Sequence, residues 1–366
     1  MKSYPLSINA CKRCSHHQLG IVVDPKLMFS NYAYASGTSE SFRQHFSSYA
    51  KEIHHRYPQA EKFIECGSND GVLLKALLDV GAKEAIGVEP AENLVDKCHA
   101  ELLNVIHGFM GRSDTMPKLL ARGRTFDFWT ANNGLAHVDD FVGTLNALAL
   151  TGAKAGVFEV QYLGALLDHG HVDNIYHEHL DFWRATELLD KLHVRTPWAV
   201  VDIELVPTHG GSLRVWVQLV EVGVPIGPIG GQVSKSLADI VNAEKNRDWP
   251  AAWLTLRTKM AEERKQLWAL LGDNKRVAIF GAPAKLTTLL YGLGITNLHF
   301  SYVVDDSPLK QGLFTPGMGL EVISSERLRA DPPDAVLIGA WNFANHIVPR
   351  VADLCPGKPI VVPFEK

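Results

Sequence analysis

The stretch Phe63-Ile64-Glu65-Cys66-Gly67-Ser68-Asn69-Asp70-Gly71 joins a run of strand-forming residues to a turn of two glycines and small polar side chains. Glycine lets the backbone come close to a ligand, and the helix expected from Asp70 offers free N–H groups at its start. About twenty residues later a strand over 85–89 ends in Glu89, an acid placed to accept from both hydroxyls of a ribose. The two features together fit an adenosine ligand. Further strands are expected at 62–66, 104–106, 126–132 and 155–161, with helices at 70–80, 91–102, 113–121 and 139–150 between them. Such alternation predicts an α/β fold with an open, doubly wound, mostly parallel sheet.

Turns that hold a dinucleotide follow G-x-G-x-x-G and cradle a pyrophosphate. Here Gly67-x-x-x-Gly71 departs from that spacing, and Glu65 and Asp70 would repel a diphosphate. An acidic turn suits the cationic, phosphate-free methionine end of S-adenosylmethionine (SAM). The residues therefore favour SAM over NAD.

The 366 residues exceed what one hydrophobic core usually serves. A second alternation fills the C-terminal part. It comprises a strand at 213–219, a charged helical stretch at 232–271 broken near Pro250, and a strand at 276–280. After these come the turn Gly281-Ala-Pro-Ala-Lys285, a helix at 286–293 and strands at 300–304, 335–338 and 359–362. Upstream of the central alternation, Phe42, Phe46, Tyr49 and Ile53 recur at helical spacing, and Pro58 closes that helix. The expected division is an N-terminal segment at 1–43, a ligand-binding α/β domain at 44–190 and a C-terminal Rossmann-like α/β domain at 191–366.

A net charge of −4 gives a nucleic-acid partner no electrostatic support. No apolar run reaches the ~18 residues that span a bilayer, and residues 1–7 lack a signal-peptide core, so no membrane partner and a cytoplasmic place are expected. Of the five cysteines, Cys11 and Cys14 form a C-x-x-C in a polar stretch. A structural zinc needs four ligands, and this pair supplies half a site.

Three further clusters carry chemistry. Asn132-Asn133-Gly134-Leu135-Ala136-His137 follows the fourth strand, at the sheet edge that faces ligands in such folds. His137 reads equally as a histidine satisfied at the start of a helix. Asn174-Ile175-Tyr176-His177-Glu178-His179-Leu180 concentrates imidazoles, a phenol and an acid. His177 and His179 are two residues apart, unlike the i, i+4 pair of H-E-x-x-H, so proton transfer outweighs metal binding. Thr208-His209-Gly210-Gly211-Ser212-Leu213-Arg214 is either a hairpin turn or a close-approach loop whose Arg214 pairs with a phosphate. Lys285 in the C-terminal turn, with Asp305 and Asp306 after the next strand, reads alone as a dinucleotide site without the glycine fingerprint.

In these residues the chain resembles the SAM-dependent C-methyltransferases of nucleotide-linked keto-deoxysugars in antibiotic-sugar pathways. The blocks are Tyr32-Ala-Tyr-Ala-Ser-Gly37, Glu65 to Gly71, Gly87-Val-Glu-Pro90, Leu135-Ala-His137, Phe158-Glu-Val-Gln161 and Ile175-Tyr-His-Glu-His-Leu180. They continue through Thr208 to Arg214, Gly281 to Lys285, Val304 to Gly312 and Ala340-Trp-Asn-Phe343, in family order over nearly the whole chain. The resemblance implies a zinc module, a SAM domain and a C-terminal α/β domain, acting as a monomer or homodimer. It implies that Gly67, Asn69, Glu89 and Asn133 contact SAM. Tyr176, Glu178, His179 and His137 would face the sugar, with His179 the base, and Tyr34, His209, Arg214 and Lys285 would bind the rest of the acceptor. The family's earlier C-x-x-C has no counterpart before Cys11, so only a remnant of the zinc module is expected. Rival readings are an O- or N-methyltransferase on a related acceptor and a nicotinamide-dependent sugar dehydrogenase.

Overall fold

The structure is a computed structural model that describes residues 4–38, 40–121, 125–220, 234–272 and 275–365. Positions 232 and 233, which open the charged stretch of the sequence reading, lie outside these. The chain divides into two compact units.

The first unit comprises Pro5–Leu163 and His177–Arg247. It opens with the hairpin β1 (Ile8–Ala10) and β2 (His17–Leu19), whose connecting turn carries Cys11 and Cys14. The helix Glu40–Arg56 follows and buries Phe42, Phe46, Tyr49 and Ile53, the four residues whose spacing announced it. The parallel strands are β3 (Lys62–Cys66), β4 (Glu84–Glu89), β5 (Asn104–His107), β6 (Phe128–Asn132) and β7 (Ala155–Gln161). Next come β8 (Asp181–Phe182), β9 (Trp198–Val206) and β10 (Ser212–Leu219). Seven of these form one sheet in the order β5-β4-β3-β6-β7-β10-β9.

Strands β3 to β7 run parallel, and β10 pairs antiparallel with β7 and with β9. The sequence reading grouped residues 213–219 with the C-terminal alternation, but backbone pairing places them beside β7, with Arg214 opposite Glu159. All seven residues of β7 are buried, as expected for a strand covered on both faces. The order reverses between β3 and β6, so their C-terminal ends open the crevice where doubly wound sheets bind ligands. The short β8 joins the N-terminal hairpin through β2, and His16 Nε2 lies 2.6 Å from Asp181 Oδ1.

The second unit holds the segment Gly164–Tyr176 and the chain from Asp248 onward. Its sheet consists of β11 (Val277–Phe280), β12 (Tyr302–Val304), β13 (Val322–Ile323), β14 (Ala335–Ile338) and β15 (Ile360–Val361). All pairings are parallel, in the order β13-β12-β11-β14-β15. Alternate residues serve two cores. Ile279, Val303 and Leu337 pack with Leu286, Leu289 and Leu290 on one face. Phe280, Val336 and Ile338 pack with Val351 and Leu354 on the other. The charged stretch of the sequence is two helices, Lys235–Lys245 in the first unit and Trp249–Leu271 in the second. Pro250 stands in the first turn of the second helix, where its missing N–H costs nothing, and Asp248 caps that end by accepting from Ala251 N.

Candidate active site

The turn after β3 needs left-handed backbone at three positions, Gly67 (φ +73°), Asn69 (φ +50°) and Gly71 (φ +74°). Two are glycine, and asparagine is the side chain that tolerates this region best. Space sets a second demand. A Cβ on Gly71 would lie 2.3 Å from Leu103 Cδ1, and one on Gly87 in β4 would lie 2.2 Å from Ser68 Oγ. The turn is thus closed against β4 and leaves the start of the helix Val72–Asp79 without a side-chain cap.

Glu89 ends β4 and holds the turn from beneath. Its carboxylate accepts from Asn69 N at 2.7 Å and from Ala91 N at 2.9 Å. Burial pushes its pKa up to about 7, against the lowering effect of those two amides and with a further push from Asp70. Burial also holds Glu65 well above the usual carboxylate range, with Glu89 and Asp70 adding to the push. Asp70 pairs with Lys97 at 2.8 Å. Acidic groups gathered here, with Glu65 and Glu89 pushed toward their neutral forms, would repel a diphosphate and can ionise beside a cation. At the end of β6, Asn133 adopts φ +55°, and its Oδ1 is buried with no hydrogen-bond partner among the described residues. An acidic cradle with a spare buried acceptor fits the sulfonium and ammonium groups of SAM. Gly67, Asn69, Glu89 and Asn133 would hold it.

Residues 29–38 lie across this turn as a strap. Ser36 N donates to Asn69 Oδ1 (2.8 Å), Asn69 Nδ2 to the Tyr34 carbonyl (3.1 Å), and Gly37 N to Asp70 (3.1 Å). Tyr32 exchanges two bonds of 2.9 Å with the Asn93 side chain, and Ala35 packs on Ala91 and Leu94. Burial pushes the Tyr34 phenol up to about 12.

The strap also reaches the histidine cluster. Tyr32 Oη donates to Glu178 Oε2 at 2.6 Å, and the Phe29 ring stacks on His137 at 5.6 Å. His137 ends the short turn Leu135–His137 after β6, and its ring centroid is 5.1 Å from that of His179. Burial lowers the His137 pKa to about 4, so the ring is neutral at pH 7, and its Nε2 is buried with no partner among the described residues. His179 is buried, with Nε2 3.2 Å from the side-chain nitrogen of Gln161 at the end of β7. His177 turns elsewhere, to the Pro5 carbonyl at 3.2 Å. Among the described residues no group of three or more His, Cys, Asp or Glu is placed to hold a metal.

Of the remaining acceptor residues, Arg214 and His209 contact side chains outside the histidine cluster. Arg214 is buried, with Nη2 2.7 Å from Glu159 and Nη1 on Glu52, and it lies 4.3 Å over the Tyr49 ring. Its fork is spent on carboxylates of this chain. His209 stands in left-handed backbone (φ +52°) with its ring 5.2 Å from Phe42. Tyr176 and Lys285 belong to the second unit. Cys11 and Cys14 are exposed, and among the described residues no group of three or more His, Cys, Asp or Glu gathers around them.

Gln161, Tyr32 and Phe29 join the site without having been expected there, although Tyr32 and Gln161 stand within the blocks that carry the family resemblance. A signal was available for Gln161. The two-residue period of a strand puts it on the face of Glu159, at the end where ligands bind.

Two family models match the chain, a methyltransferase domain over residues 40–194 and a C-methyltransferase C-terminal domain over residues 207–363. The C-methyltransferase NovU of Streptomyces niveus is 28% identical over 355 residues, covering 94% of this chain and 82% of that protein. Among solved structures, a SAM-dependent methyltransferase from Clostridium acetobutylicum ATCC 824 is 10% identical with a TM-score of 0.39, over 49% of this chain and 92% of that one. SAM-bound CalS10, an amino pentose methyltransferase from Micromonospora echinaspora, is 19% identical with a TM-score of 0.29, over 34% and 52%. With the acidic glycine turn, the two domain matches define a SAM-dependent methyltransferase. Its C-terminal part matches the domain of enzymes that methylate carbon, as does the relative that spans most of its length, and the chain is a SAM-dependent C-methyltransferase. Among the described residues no helix is long and apolar enough to cross a membrane.

Proposed function

We propose that this enzyme methylates a carbon beside the ketone of a nucleotide-linked 4-keto-deoxysugar, the kind of acceptor used in deoxysugar and antibiotic biosynthesis. One observation carries the reading: a close imidazole pair, the buried His179 and the half-buried His137, at the ligand edge of the sheet that bears the glycine turn. A carbon acceptor must first become a nucleophile, and a C–H beside a ketone is acidic enough for an enzymic base to remove. His179 takes that proton. His137, neutral and with a buried, unpartnered Nε2, donates a hydrogen bond to the enolate oxygen without surrendering a full charge. Glu178, held by Tyr32, fixes the loop that carries His179. SAM, when bound, supplies an electrophilic methyl group on a sulfonium.

The test replaces SAM with S-adenosylhomocysteine, so that proton removal is uncoupled from methyl transfer, and incubates a thymidine-diphosphate 4-keto sugar in heavy water. Deuterium should enter the carbon beside the ketone with the wild type and not with His179→Ala. Equal incorporation by both proteins, or none by the wild type, overturns the base. An acceptor methylated on oxygen or nitrogen overturns the substrate class.

A further inference from the structure

The C-terminal sheet has its own crevice, at the ends of β11 and β14 where the strand order reverses. The chain fills it. A Cβ on Gly339 would meet the Gly281 carbonyl at 2.4 Å, and one on Gly281 would meet Ala340 Cβ at 2.7 Å, so the two loops close on each other. Asp305, where a nucleotide fold keeps its ribose acid, accepts from Ala282 N (2.8 Å) and Ser307 N (2.9 Å) and pairs with Lys310 (3.0 Å).

What a ligand anion would offer at this edge comes instead from Asp173, in the turn Val172–Asn174 of the segment Gly164–Tyr176. Asp173 is 1% exposed. Its Oδ2 accepts from Trp341 Nε1 at 2.6 Å and lies 3.3 Å from Lys285 Nζ. Lys285 is itself buried, 3.5 Å from Asn174 Oδ1 and 4.0 Å over the Trp341 ring. A buried lysine needs a counter-charge, and a buried carboxylate needs donors. Each here is the other's main answer, and the pair joins two stretches more than a hundred residues apart in sequence. Three residues after Asp173 the chain enters Tyr176-His177-Glu178-His179.

We infer that Asp173 is a positioning residue, clamped by Lys285 and Trp341 in the crevice of the C-terminal sheet, and that this clamp sets the path of the chain into the catalytic histidine segment. The role in turnover rests on the function proposed above, whereas the clamp does not. Lys285 then serves as the partner of Asp173 and not as a phosphate ligand of the acceptor.

The full-length protein is compared as wild type, Asp173→Asn, Lys285→Met and the double variant. Hydrogen exchange over residues 164–180 should quicken by about ten-fold or more in both single variants, with SAM affinity unchanged. With a thymidine-diphosphate keto sugar, kcat should fall by about 10- to 100-fold while the acceptor KM moves little, as displacement of a catalytic loop requires. Asp173→Asn should partly rescue Lys285→Met, because it removes the unpaired carboxylate that Lys285→Met leaves behind. Unchanged exchange in both single variants overturns the clamp. A raised acceptor KM in Lys285→Met, with Asp173→Asn normal and no rescue in the double variant, overturns it in favour of a phosphate ligand. A wild type that leaves keto sugars untouched would contradict the proposed acceptor, and the exchange comparison would still decide the clamp.

Discussion

Replacing Glu89 with glutamine should change how stability depends on pH, because this carboxylate is buried beneath the SAM turn. Its pKa rises from an ordinary 4.5 to about 7 through burial, and the two amides it binds only partly offset that. At ~1.4 kcal/mol per tenfold change in ionisation constant, the rise corresponds to about 3 kcal/mol. The folded-state value lies above the unfolded one. The contribution is therefore fully present below the unfolded pKa and is lost as pH climbs through the folded one. Glutamine has no such titration, but its one oxygen must serve both Asn69 N and Ala91 N, and a buried N–H left short costs ~1–3 kcal/mol. Chemical denaturation of SAM-free protein should thus find Glu89→Gln the less stable at pH 5, with the gap closing or inverting by pH 8. Glu65 is shifted in the same direction mainly by its own burial, which both proteins share, so the difference between the curves reports chiefly Glu89. Parallel curves from pH 5 to 8 would refute the reasoning.

Four further outcomes follow from the geometry. Tyr32→Phe removes the 2.6 Å bond to Glu178, worth ~1.5–3 kcal/mol to a charged acceptor, and steady-state kinetics should show a drop of about 10-fold or more in kcat with the fold intact. Arg214→Met strands Glu159, which is fully buried beside it, and should lower stability by ~3–5 kcal/mol in urea titration. Because Glu159 sits below its usual range in the folded state, with His45 and Arg214 outweighing its burial, its contribution to wild-type stability is present above the unfolded pKa and fades as pH falls through the folded one. Gly71→Ala places a methyl against Leu103 at left-handed φ, and calorimetry should find it destabilised by at least ~1–3 kcal/mol with weaker SAM binding.

The central sheet was legible because its determinants are local. Buried strand runs, the glycine turn at 67–71 and the apolar stripe of Phe42, Phe46, Tyr49 and Ile53 each declare themselves within a few residues. What escaped was pairing. The run at 213–219 looked like a strand but carried no mark of its neighbour, and β9 at Trp198–Val206 went unread although it is rich in valine and isoleucine. Strand propensity says that a segment can pair, whereas register and partner are settled by distant surfaces. The site divides the same way. Gly67, Glu89 and the two histidines stood out by residue type and position. The Tyr32–Glu178 and Asp173–Lys285 contacts join residues more than a hundred positions apart, which spacing cannot show.

The acceptor atom is the heart of the account, and one product spectrum reads it. The enzyme would be given SAM carrying a 13C-labelled methyl group together with a thymidine-diphosphate 4-keto-deoxysugar, and the product examined by carbon NMR. The account predicts a methyl carbon coupled directly to a ring carbon beside the ketone. A labelled methyl bound to oxygen or nitrogen would contradict it.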